Sequence, residues 1–106
     1  MNMMKMMKQA AALQKQMKQM QEELAGRTVD FSSGGGMVTA TARGDLTIER
    51  IAINREVVDP GDVEMLEDLV RAAVDGALTA AREMAAKEMG KLTGGMGLPP
   101  GMNLPF

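Results

Sequence analysis

The sequence contains no cysteine and no histidine, no tryptophan or tyrosine, and only two phenylalanines. Each absence removes a class of chemistry. Without histidine the commonest general base and metal ligand is gone. Without cysteine there are no disulfides and no thiolate metal sites, which suits the cytoplasm. With almost no aromatic rings, the chain has nothing to stack on exposed bases. No apolar run approaches the roughly 18 residues that a membrane-spanning helix needs. Lys5, Lys8, Lys15 and Lys18 interrupt the N-terminal segment, so it has no signal-peptide apolar stretch. Bulky aliphatic residues are also scarce, with seven Val, three Ile and nine Leu, whereas Met numbers 13 and Ala 14 in a chain of 106. Such a core is thin and plastic, so oligomerisation is expected to supply burial that one chain lacks.

What is present is strongly patterned. Met3, Met6, Ala10, Leu13, Met17, Met20 and Leu24 alternate in steps of three and four, with no Gly or Pro before Gly26. That is a heptad seam on a helix spanning residues 3–24, with Gly26 as its stop. From Thr28 the period becomes two. "TVDFSS" places Val29 and Phe31 on one side, and "MVTATARGD" places Val38, Ala40 and Ala42 on one face. Between them "SSGGG" reads as a loop, and Gly44-Asp45 reads as a tight turn that uses glycine's tolerance of positive φ. In "LTIERIAIN", Leu46 and Ile48 share one parity and Ile51 and Ile53 the other, a slip that predicts a β-bulge near Glu49 and Arg50.

A second helix is expected after "DPGD", capped by Asp59 before Pro60 or by Asp62. Leu66, Leu69, Val70, Ala73, Val74, Ala77, Leu78, Ala81, Met84 and Ala85 then keep helical spacing to about Lys91. The element order is α-β-β-β-α, an α+β domain over residues 1–92 with a Gly/Pro/Met-rich tail over 93–106. A three-stranded antiparallel sheet has two faces and two edges, which two helices cannot cover. The pattern therefore predicts a homodimer paired through an edge strand.

Catalytic and metal readings find little to work with. Ser32 and Ser33 have no histidine partner anywhere in the chain. "SSGGG" looks like a phosphate loop but lacks the Lys-Ser/Thr that should follow. Adjacent acids such as Glu67 and Asp68 do not converge on one helix face. The thioethers of "MNMMKMMKQ" suit Cu(I), yet Met3 and Met6 belong to the seam that Leu13 and Leu24 continue, and burial explains them. The reading is a non-enzyme without cofactor, metal or small-molecule substrate.

Charge is more informative. With Met3 at heptad position a, Lys5 falls at c, Lys8 and Lys15 at f, and Lys18 at b, all opposite the seam. The first 21 residues carry these four cations and no acid, whereas the other 85 carry eight cations against fourteen acids, a net of −6. A basic strip on an acidic body is an electrostatic footprint for an anionic polymer. A smaller cluster, Arg82, Lys87 and Lys91, lies near the end of the second helix. Duplex phosphates are the expected target, with weak sequence specificity. The rival use of the same helix is a Met-lined homodimeric module that holds apolar helices of partner proteins. Insertion into a membrane interface is disfavoured by the regular heptad and the missing aromatics.

The order of elements, together with "MKQAAALQKQMKQMQEEL", "GGGMVTATARGD", "MLEDLVRAAVDGALTAA" and "GMGLPPGMNLPF", resembles the YbaB/EbfC family of bacterial nucleoid-associated proteins. Two positions depart from the family pattern: Asp75 adds an acid to the second helix, and "TATA" in the sheet is less bulky than usual. The resemblance implies a tweezer-shaped homodimer with sheets joined across the interface. It also implies double-stranded DNA binding that alters DNA conformation, in the cytoplasm at the nucleoid, with effects on nucleoid organisation, gene expression and DNA protection. DNA contacts would come from the terminal helices, at Lys5, Lys8, Lys15, Lys18, Arg82, Lys87 and Lys91.

Overall fold

The structure is a computed structural model that describes residues 2–94, with side chains through Lys91. The elements follow the expected order: α1 Met3–Gly26, β1 Thr28–Ser33, β2 Val38–Arg43, β3 Ile48–Ile53, a 3₁₀ turn Arg55–Val57, and α2 Val63–Gly94. The tail from residue 95 onward lies outside the described residues. The three strands form an antiparallel sheet in the order β1-β2-β3.

The bulge explains how all three strands serve one core. Thr41 pairs with Arg50 but Ala42 pairs with Ile48, so Glu49 is the extra residue. Without it, Ile48 would face away from Ile51 and Ile53. With it, Val29, Phe31 and Ser33 of β1, Val38, Ala40 and Ala42 of β2, and the three isoleucines of β3 share a face. The opposite face is polar: the Thr41 hydroxyl donates to Asp30 at 2.6 Å, and the Ser32 and Thr39 hydroxyls are 2.7 Å apart.

α2 lies over β1 and β2 and barely reaches β3. Its contact is a row of alanines: Ala73, Ala77 and Ala81 are fully buried against Val38, Ala40 and Ala42, which are fully buried in turn. The Ser33 hydroxyl donates to the Leu69 carbonyl at 2.6 Å and ties the end of β1 to the helix. On β3 the core-facing side chains are left half open, with Ile51 42% and Ile53 41% exposed.

Local punctuation selects one of the two expected caps of α2 and departs from expectation at two glycines. The cap of α2 is Asp62, which accepts the Met65 N–H at 3.2 Å, whereas Asp59 accepts the Gly61 N–H and makes a turn before it. The 3₁₀ turn, capped by Asn54, comes just ahead of both and buries Val57. The β2–β3 turn does not use positive φ at Gly44; Leu46 takes that conformation instead, at φ 67°. Gly44 is needed for space. A Cβ there would collide with the Leu24 carbonyl, to which the Gly44 N–H donates at 2.9 Å, with a second bond to the Arg27 carbonyl at 3.0 Å. α1 likewise ends without a left-handed glycine, because Arg27 in extended backbone caps it.

Gly76 of α2 is equally close to the Phe31 ring, but that ring is 44% exposed and can give way, whereas a backbone carbonyl cannot. Gly44→Ala should therefore destabilise the fold by about 1–3 kcal/mol. Gly76→Ala should cost less, offset by up to about 1 kcal/mol of helix propensity. Urea unfolding of the two variants tests the order, and a larger loss for Gly76→Ala would refute this account.

Candidate nucleic-acid interface

α1 is held only at its root. A helix of 24 residues is about 36 Å long. Of its seam residues only Leu24 is buried, at 5% exposure. Leu24 sits where Gly44 grips the last turn, and beyond that point the helix projects; the molecule measures 71 × 26 × 16 Å. Asn2 caps the free end by accepting the Met4 N–H at 3.1 Å.

A salt bridge completes the root. The Arg27 guanidinium lies 3.1 Å from Glu88 of α2, and Lys91 lies 3.4 Å from the same carboxylate oxygen. Hydrogen bonds from Arg27 first, and from Lys91 second, hold the Glu88 carboxyl below the usual glutamate range.

Lys5, Lys8, Lys15 and Lys18 are all exposed, on the projecting part of α1, and none has an ion-pair partner among the described residues. No acid precedes Glu22 on this helix. An unpaired ammonium on a flexible stem keeps its full charge available to a phosphate, at the entropic cost of ordering it. The strip runs along the helix for residues 5–18, about 20 Å at 1.5 Å per residue.

The second cluster is not gathered in the same way. Arg82, Lys87 and Lys91 are exposed, but Arg82 and Lys91 point about 180° apart around the helix at 3.6 residues per turn. Lys91 is engaged with Glu88, and Glu83 and Glu88 alternate with the cations. Two exposed arginines that charge pattern did not single out, Arg50 and Arg55, stand near β3 and the turn that follows it. Isolated cations in a mixed sequence leave no pattern to read.

The opposite side of α1 is also open. Met3, Met4, Met6 and Met7 are 76%, 69%, 51% and 67% exposed, and Met17 is 36% exposed. One chain therefore does not bury the seam, contrary to the expectation that packing would cover its methionines.

The sequence profile of the YbaB/EbfC DNA-binding family matches residues 1–96. A nucleoid-associated protein of Syntrophobacter fumaroxidans is 50% identical over 99 residues, which is 93% of this chain and 89% of that protein. One from Caldanaerobacter subterraneus is 55% identical over 98 residues, 92% of this chain and 88% of that protein. Among solved structures, an uncharacterized protein from Helicobacter pylori shares the fold, with a TM-score of 0.78 at 18% identity, covering 88% of this chain and 98% of that one.

The root makes a pH prediction. Because the Glu88 carboxyl is held below its unfolded value, its contribution is complete above the ordinary glutamate range near pH ~4.3 and is lost as pH falls through the folded value. Thermal unfolding followed from pH 6 downward should show Glu88→Gln less stable than the parent at the upper end. The two curves should then converge in acid. Parallel curves would exclude this role for Glu88.

Proposed function

The chain belongs to the YbaB/EbfC DNA-binding family, and we propose that it acts as a nucleoid-associated homodimer that grips double-stranded DNA by its phosphates. The observation that carries this reading is the unpaired, acid-free lysine strip on the free face of α1. The names of the relatives support the same role and a bacterial nucleoid location. No helix among the described residues is long and apolar enough to cross a membrane.

Lysines are point charges without the rigid fork that reads a base edge, so the grip is Coulombic and largely indifferent to sequence. Its driving force is release of counterions condensed on the duplex, about 0.9 of a log–log salt slope per phosphate neutralised. The acidic body, with a net of −6 outside the first 21 residues, repels the duplex and orients the projecting helix toward it. Bound DNA would be bent or bridged, with effects on nucleoid organisation, gene expression and protection. No catalysis is part of this role. Arg82 and Lys87 contribute as secondary contacts, and Lys91 less so because Glu88 already engages it.

The dimer is the second part of the proposal. β3 is an edge strand, and its Ile51 and Ile53 leave an apolar strip that α2 does not cover. β1, the other edge strand, has α2 packed against its face. Pairing β3 with its counterpart would continue the sheet across a two-fold axis and bury that strip.

The exposed methionines favour a second reading, capture of apolar helices. The two readings respond oppositely to salt: phosphate binding collapses between about 50 and 200 mM, whereas apolar capture persists or strengthens. In gel shifts with random duplex, Lys8→Gln/Lys15→Gln/Lys18→Gln should weaken binding to every sequence alike. The salt slope should shrink by about 0.9 for each phosphate left unneutralised. Unchanged affinity would remove α1 as the binding face. Ile51→Glu/Ile53→Glu should shift the sedimentation mass from dimer to monomer, and a dimer that survives would place its interface elsewhere.

A further inference from the structure

The fold buries Leu24 of the α1 seam and leaves the other six seam residues exposed or, at Leu13 and Met20, half-buried. We propose that these six pair with the same six of another copy, as an antiparallel two-helix coiled coil over residues 3–20, and that this pairing lets the protein hold two duplexes together. The pairing stands on its own observations; the bridging rests on the DNA reading above.

Register makes the seam self-complementary. In an antiparallel pair, positions a and d face each other. Setting Met3 opposite Met20 puts Met6 opposite Met17 and Ala10 opposite Leu13, each an a–d layer. The smallest seam residue meets the branched one, and the other layers are unbranched methionines that adapt to each other. Leu24, outside this register, is the one already buried.

Charge allows the same arrangement. The positions flanking the seam are Met7, Gln9, Gln14 and Gln16, all neutral, while the four lysines occupy b, c and f. Two copies of a helix that carries four cations can therefore meet without a like-charge contact at the interface. A helix built to catch an acidic partner would place its lysines beside the seam.

Orientation follows from the root. Paired helices lie 8–10 Å apart, whereas the molecule is 26 Å across in its second dimension. A parallel pair would bring both sheets to the same end and into the same space. An antiparallel pair separates them along an overlap of about 27 Å. Lysines then line both outer sides of the two-helix rod, so each side can take a duplex.

The chain has no cysteine, so introduced thiols report the pairing directly and without DNA. Mixing Ala10→Cys with Leu13→Cys under mild oxidation should give a cross-linked pair well above that of either alone, and above Gln19→Cys on the outer face. A cross-link from Ala10→Cys alone would overturn the antiparallel register, and no cross-link above Gln19→Cys would overturn the pairing. Met6→Gln/Met17→Gln, neutral and helix-compatible, should abolish co-pelleting of a labelled duplex with a bead-bound duplex while single-duplex affinity stays unchanged. Bridging that persists in this variant would overturn that half of the proposal. If the parent chain binds no duplex at all, the DNA reading fails while the cross-link still decides the pairing.

Discussion

The structure depends on the closeness of α2 to β2, and that closeness depends on alanine. Ala73, Ala77 and Ala81 recur one helical turn apart and meet Ala40 and Ala42 on the strand, so helix and sheet approach without large side chains between them. The less bulky "TATA" stretch supplies the sheet's half of this contact. Val38 is the largest fully buried side chain. Burial contributes roughly 0.8 kcal/mol per CH₂, so an alanine seam contributes little per residue compared with one of leucines. It is also narrow, and α2 covers two strands of three.

That narrowness accounts for the surplus of apolar surface at the periphery. Ile51 and Ile53 remain half open on an edge strand, and most of the α1 seam remains along a projecting helix. A core this narrow leaves part of the chain's own hydrophobic surface uncovered.

The second organising feature is the root of α1. Gly44 can approach the Leu24 carbonyl only because it has no side chain, and Glu88 draws Arg27 and Lys91 to one carboxylate. These contacts fix the direction of the helix while leaving its length free. The division of labour along it is then angular: methionines on one side and lysines on the other. Net charge hides this arrangement. A chain with a pI near 5.1 carries a basic face because four of its twelve cations are segregated on one helix, away from its acids.

Much was legible in the sequence where the cause is local. The heptad of α1, the alternation of the strands and the parity slip that places Glu49 in a bulge are periodicities of a few residues, and each appears in the fold as read. The lysine strip was legible too, since heptad position alone sets the face of a residue. Other features depend on distances between segments far apart in the chain. Asp59 and Asp62 are both competent caps, and the buried 3₁₀ turn at Val57 decides between them. Gly44 reads as a turn residue until α1 is seen to end against it. The sequence by itself determined which residues share a face, because side-chain direction follows helix and strand geometry. Only the tertiary structure decided which of those faces are covered, because covering a face requires another element within packing distance, and for most of α1 none is there.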